Sequence, residues 1–241
     1  MQRLWNLSAR RPARAQPCLT FSPLAWLKLQ YFCHAGDTEI GGFGVAADDD
    51  PLYVEDFVTV RQHVSAVTVR FEDAAVADFS DRCVDVGLAP ARFARIWCHT
   101  HPGDSVTPSD TDEETFATTF GSCDWSLMFI LGRTGRTYAR LAFAAGPGGA
   151  FEIPVAVDWS AWAAGFEGAC DELAGRVRQW REEYAANVVL PVVSKKLEPA
   201  AQALQTNGLG RNPWTEFDGL ISEPYWEEDG YYDPIYQLFD H

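Results

Sequence analysis

One stretch constrains the chain more than any other: Ile96-Trp97-Cys98-His99-Thr100-His101-Pro102, followed by Ser109-Asp110-Thr111-Asp112. Arg95 to His101 is apolar and β-branched and is stopped by Pro102-Gly103, the pattern of a short buried strand. Side chains two apart on a strand share a face, so His99 and His101 point the same way. Beyond the turn, Thr107-Pro108-Ser109-Asp110 predicts a helix start, with a hydroxyl cap, a proline in the first turn and acids after it. Ser109 and Asp112, three apart, then fall on one side of that first turn. A chain with this stretch has to bring a strand end up against a helix start. Two imidazoles and one carboxylate meeting there leave a fourth tetrahedral position open, which is the arrangement of a catalytic rather than a structural zinc.

Such a site also needs a base that is not a ligand. Glu39, in Thr38-Glu39-Ile40-Gly41-Gly42-Phe43-Gly44, is the best candidate. It stands at the start of an apolar, glycine-rich strand pattern, where a carboxylate has little structural reason to be. Taken singly, each of these residues has an ordinary reading. A strand histidine is usually a satisfied core group, and Ser109 or Asp112 could simply cap a helix. Their joint spacing is what carries weight.

Glu39, then His99-x-His101-Pro102, with seven residues between His101 and Ser109, then Ser109-x-x-Asp112 resembles the full signature of the JAMM family (MPN-plus, JAB-type zinc metallopeptidases). The likeness runs in strand and helix order from about Leu19 to Val157. It implies one zinc ion held by His99, His101 and Asp112, with Glu39 as general base and Ser109 as donor to the oxyanion. It also implies cleavage of an isopeptide or peptide bond after the C-terminal tail of a ubiquitin-like protein. Two other readings stay open: a zinc hydrolase of a small amide or a sulfur-carrier adduct, and a non-catalytic scaffold of the same fold. There is no His-Glu-x-x-His, and no His-x-Glu with Pro-Cys-x-x-Cys, so zincin and base-deaminase chemistries fit worse.

The formal net charge is −15 over 241 residues. Phosphate binding needs a basic face, so nucleic acid is not expected as a partner, whereas a basic protein would suit this field. Six scattered cysteines (18, 33, 83, 98, 123, 170) form no Cys-x-x-Cys pair. Free thiols in a reducing cytoplasm are therefore expected, not a disulfide framework. Cys98 should point away from the two histidines, into the core. No apolar run approaches the ~20 residues of a membrane span.

The expected organisation has four parts: a flexible basic arm (1–18), the signature domain (19–158), a helical extension (159–212) and an acidic, aromatic tail (213–241). In the domain, Leu19-Thr20-Phe21 predicts a strand, and Ser22-Pro23 caps a helix through about Cys33. Strands follow over Ile40–Ala46, Leu52–Val60 and Ala66–Phe71, with Asp48-Asp49-Asp50-Pro51 a turn and Arg61-Gln62-His63 a loop. Asp73 to Gly87 is a helix with Val76, Phe79, Cys83 and Val86 on one stripe. Asp110–Phe120 is the helix carrying Asp112. Three strands follow, over Trp125–Leu131, Arg136–Ala144 and Phe151–Val157. The sum is α/β (α+β): a mixed curved sheet flanked by helices. His34 and His63 read as surface residues.

Beyond Asp158, the residues Trp162, Phe166, Cys170, Leu173, Val177, Trp180 and Tyr184 make one apolar stripe, a long helix packed on its own domain or on a second copy. A further helix is expected from Lys195 to about Gln205. From Trp214 onward there are eight acids, eight aromatics and no lysine or arginine. That composition suits folding back over a groove or gripping a basic partner protein.

Overall fold

The computed structural model describes residues 16–163 and 169–191, and these form one compact unit. Strand β1 (Leu19–Phe21) leads directly into α1 (Pro23–His34). Ser22 starts that helix: its hydroxyl accepts from Ala25 N at 3.1 Å, and Pro23 follows at the first helical position. A hydroxyl satisfies one of the orphan amides, and proline lacks the amide that would be orphaned there. Then come β2 (Ile40–Ala46), β3 (Tyr53–Val58), β4 (Gln62–Val64) and β5 (Val69–Phe71). Helices α2 (Asp73–Asp85) and α3 (Pro90–Phe93) precede β6 (Ile96–His101), and α4 (Asp110–Phe120) follows it. Next are β7 (Trp125–Gly132), β8 (Thr137–Phe143), β9 (Gly149–Glu152) and β10 (Val155–Val157). The described part ends with α5 (Ser160–Ala163), α6 (Ala169–Asn187) and β11 (Val188–Val189).

Eight strands form one mixed sheet in the order β10-β1-β3-β2-β6-β7-β8-β9, and β11-β4-β5 form a small second sheet. The segment expected as one strand over Phe151–Val157 divides at Ile153-Pro154. Ile153 N donates to Ala139 O of β8 at 2.9 Å, while Pro154 O accepts from Leu19 N of β1 at 2.9 Å. Neighbouring residues thus bond in opposite directions, β9 toward β8 and β10 toward β1. Two residues reach only ~7 Å, so the two ends of the strand order are brought together and the sheet curls upon itself.

Alternation along β6 divides the interior in two. Ile96 and Cys98 face one core with Leu29 and Phe32 of α1, Phe57, Leu127, Phe129 and Trp180 of α6. Trp97 faces the other, with Phe43, Phe79, Phe93, Phe116, Phe120, Met128 and Ile130. Cys98 is fully buried on the first side, away from the histidines, as strand alternation requires. The glycines of β2 are explained by packing. A Cβ on Gly42 would lie 2.5 Å from the Val58 carbonyl and 2.6 Å from the Phe57 ring.

Some expectations need correction. Arg61-Gln62-His63 is not a loop, because Gln62 and His63 belong to β4, and the strand begun at Ala66 starts only at Val69. The α2 stripe ends at Cys83; Val86 is 53% exposed, past the helix end and just before Gly87, whose φ is +82°. The extension beyond Asp158 shows two described helices. On α6, Leu173, Val177, Trp180 and Tyr184 pack against the first core, which is the self-packing alternative. The side chains of Phe166 and Cys170, the expected helix at 195–205, the tail and residues 1–15 lie outside the described residues. His34 is exposed, and His63 is exposed with Nε2 3.1 Å from Glu72 Oε1. The Asp48–Asp50 segment is a turn in which Asp50 Oδ1 accepts from Leu52 N at 3.0 Å. Among the described residues no helix is long and apolar enough to cross a membrane.

Candidate metal centre

Three elements build the site, and register explains their meeting. Strands β2 and β6 run antiparallel with Ile40 opposite Thr100 and Gly41 opposite His99. One step further, Glu39 comes opposite His101. Opposed residues share a face, so the carboxylate and the imidazole look across the same surface. His101 Nε2 lies 3.7 Å from Glu39 Oε1.

The third element is α4. Its cap is Ser109, not Thr107, so Pro108 sits just outside the helix rather than in its first turn. Ser109 and Asp112 form a reciprocal capping box: Asp112 N donates to Ser109 Oγ at 3.2 Å, and Ser109 N donates to Asp112 Oδ2 at 2.8 Å. The Ser109 hydroxyl also donates to Asp112 Oδ2 at 2.7 Å. The cap thereby aims Asp112 inward. Its Oδ1 lies 3.3 Å from His99 Nε2 and its Oδ2 3.7 Å from His101 Nε2.

Ligand atoms of His99, His101 and Asp112 all lie within 4.8 Å of one another. Donors 2.0–2.1 Å from a tetrahedral zinc sit roughly 3.3 Å apart, which is the separation of Asp112 Oδ1 from His99 Nε2. The donors' own state points the same way. His99 is fully buried, and neither of its ring nitrogens has a hydrogen-bond partner; His101 Nε2 has none either. Buried polar atoms are nearly always satisfied, and an ion is one of the recognised reasons for an exception. His101 Nδ1 is 2.8 Å from the Ser105 carbonyl. That carbonyl can only accept, so Nδ1 carries the proton and Nε2 turns its lone pair inward. A buried His-His-Asp group that could hold a metal ion is thus present, with ligand chemistry compatible with zinc.

The charges are strongly coupled to burial. Glu39, 7% exposed, is raised to about 7, because burial disfavours its anion and Asp112 repels it, with His101 opposing. Burial lowers His99 despite Asp112 beside it. Burial also acts to lower His101, but Asp112, the Ser105 carbonyl and Glu39 outweigh it and raise the ring overall. Asp112 is desolvated too, yet the two histidines and Ser109 hold it far below the usual carboxylate range.

The structure therefore brings His99, His101, Asp112 and Glu39 together, and places Ser109 at their edge with its hydroxyl engaged by Asp112. Two contributors are absent from the sequence reading. The Ser105 carbonyl is backbone, and no residue pattern announces it. Trp97, whose ring stacks on His99 with centroids 4.4 Å apart, was legible, since it lies two before His99 on one strand and must share its face. No protein-family model matches the chain, and no curated protein matches it.

Proposed function

We propose that this chain is a zinc-dependent peptidase or isopeptidase of the JAMM type, acting in the cytoplasm at the C-terminal tail of a ubiquitin-like protein. The observation that carries the proposal is the three-ligand cluster with a buried, proton-hungry carboxyl 3.7 Å from one ligand. A divalent ion there would supply Lewis acidity, lowering the pKa of a water from ~15.7 to about 7 and polarising a carbonyl.

The chain's own residues do the rest. His99, His101 and Asp112 would hold the ion. Glu39 takes the proton of the attacking water and returns it to the leaving amine, work worth typically 10²–10⁴-fold. Ser109 turns its hydroxyl from Asp112 to the developing oxyanion.

An extended substrate tail has a strand to join. Strand β5 is one of the two outer strands of the small sheet among the described residues, and its Val69 and Phe71 pack where Gly41 lacks a side chain. Glu39 N donates to Ser65 O in the β4–β5 turn at 2.8 Å. An edge strand beside the base suits addition of a peptide strand. The five described cysteines are all unpaired, in keeping with a reducing compartment. The test is zinc content together with cleavage of a ubiquitin-like fusion. Metal near one equivalent, cleavage by the parent and none by Glu39→Gln are expected; equal cleavage by the variant would remove the base assignment.

A further inference from the structure

A histidine that ligates a metal ordinarily has its ring plane fixed by a hydrogen bond from the other nitrogen. His101 has such a bond, to Ser105 O. His99 does not: Nδ1 is buried and has no hydrogen-bond partner. What touches the ring is an indole. Trp97 and His99 stack with centroids 4.4 Å apart and planes 26° from parallel. Trp97 is in turn stacked near Phe116 and Phe120, both at 6.5 Å and tilted by 18° and 22°. Phe116 follows Asp112 by one turn of α4, on the same helix face.

We propose that Trp97 is a positioning residue for the metal site, fixing the plane of His99 in place of the missing hydrogen bond and tying the strand ligand to the helix that carries Asp112. The inference rests on the metal reading above. Rotation of the His99 ring would carry Nε2 off its line to Asp112, and the indole face obstructs that rotation. When Nε2 donates to a cation the imidazole becomes electron-poor, and an electron-rich indole face stabilises that form over the free one. Trp97 is 2% exposed and its Nε1 is likewise unpartnered, so the indole also keeps water from this side of the ring.

The test is the zinc dissociation constant of the purified full chain by chelator competition. Trp97→Met keeps apolar bulk but has no ring face, and should weaken zinc about 10–100-fold. Trp97→Phe, which keeps a ring, should stay within about threefold of the parent. Phe79→Leu removes an aromatic from the same core, one that stacks on Phe43 and meets Phe93 edge-on, and should leave zinc affinity unchanged while lowering stability. Unchanged affinity in a folded Trp97→Met, or an equal loss in Phe79→Leu, overturns the inference and leaves the metal reading standing. A parent that takes up no zinc overturns both. A second measurement needs no variant. In the zinc-loaded parent, the Nδ1 proton of His101 should resonate well downfield of that of His99, because only the former has a carbonyl acceptor. Equal downfield positions would show a hydrogen bond on His99 and remove the need for Trp97.

Discussion

The hydroxyl of Ser109 donates to Asp112 Oδ2 at 2.7 Å while accepting from Asp112 N at 3.2 Å. One residue thus starts α4 and orients the carboxylate that faces both histidines. Ser109→Ala removes the cap and one donor to Oδ2. The expected loss is about 1 kcal/mol of unfolding free energy, read from urea midpoints, and only a few tenths for Ser109→Gly. The oxyanion role proposed for Ser109 makes a separate prediction: kcat on a fusion substrate should fall about 10²-fold in the folded variant. A stability loss with undiminished kcat would leave Ser109 as a cap alone.

Glu39 gives a pH signature with a definite sign. Its carboxyl is raised from 4.5 to about 7 in the folded chain. Between those values the folded state holds a proton that the unfolded state has released, so stability falls as pH rises through the window and is flat above it. The full drop is about 3 kcal/mol at most. Glu39→Gln has no such proton. Metal-free Glu39→Gln should therefore gain on the parent steadily from pH ~4.5 to ~7 in urea titrations. Added zinc should shrink the difference, since a cation nearby favours the carboxylate. Parallel stability–pH curves for the two proteins would refute the raised carboxyl.

How far the sequence showed all this depended on which physics was involved. Ile40–Ala46 and Asp110–Phe120 have the bounds read from periodicity and capping, because both are set locally. Strand β4 was hidden. Gln62 is polar and yet fully buried, its amide donating to Gly41 O at 2.8 Å and Val60 O at 2.9 Å and accepting from Gly41 N at 2.8 Å. A side chain doing a neighbouring strand's work leaves no alternation to read. The division at Ile153-Pro154 depends on β1 lying beside it, more than a hundred residues away in the chain. At the site the reverse held. The ligand spacing was plain in the residues, whereas the support from Ser105 O comes from a loop's backbone path.

Lys28 was also hidden, a charge within the apolar pattern of α1. Its side chain is 6% exposed, with Nζ 2.7 Å from Glu183 Oε2 of α6 and 3.5 Å from Asp56 Oδ1. Glu183 Oε1 accepts from Thr59 N and Oγ1, each at 2.9 Å, and so fastens α6 to the end of β3. Lys28→Met strands two carboxylates beside each other. Loss of one partner of a buried pair costs 3–5 kcal/mol; with Glu183 partly and Asp56 half exposed, about 2–3 kcal/mol is expected. Lys28→Met with Glu183→Gln should recover much of it. A single variant as stable as the parent would show that the pair holds nothing in place.

Zinc addition separates ligand from base. If His99, His101 and Asp112 share one ion, free zinc at a hundredfold excess over its dissociation constant stabilises the fold by about 2.7 kcal/mol. For a chain of this size that is roughly 5–10 °C in Tm. Asp112→Ala breaks the three-ligand set and should lose most of the shift. Glu39→Gln should keep it, because the base approaches the site without completing it. Calcium at the same concentration should do little, since two of the three donors are imidazole nitrogens. The informative comparison is between the two carboxyl variants. A zinc shift surviving Asp112→Ala would locate the ion among other residues, while one lost in Glu39→Gln would make Glu39 a ligand and leave the site without a separate base.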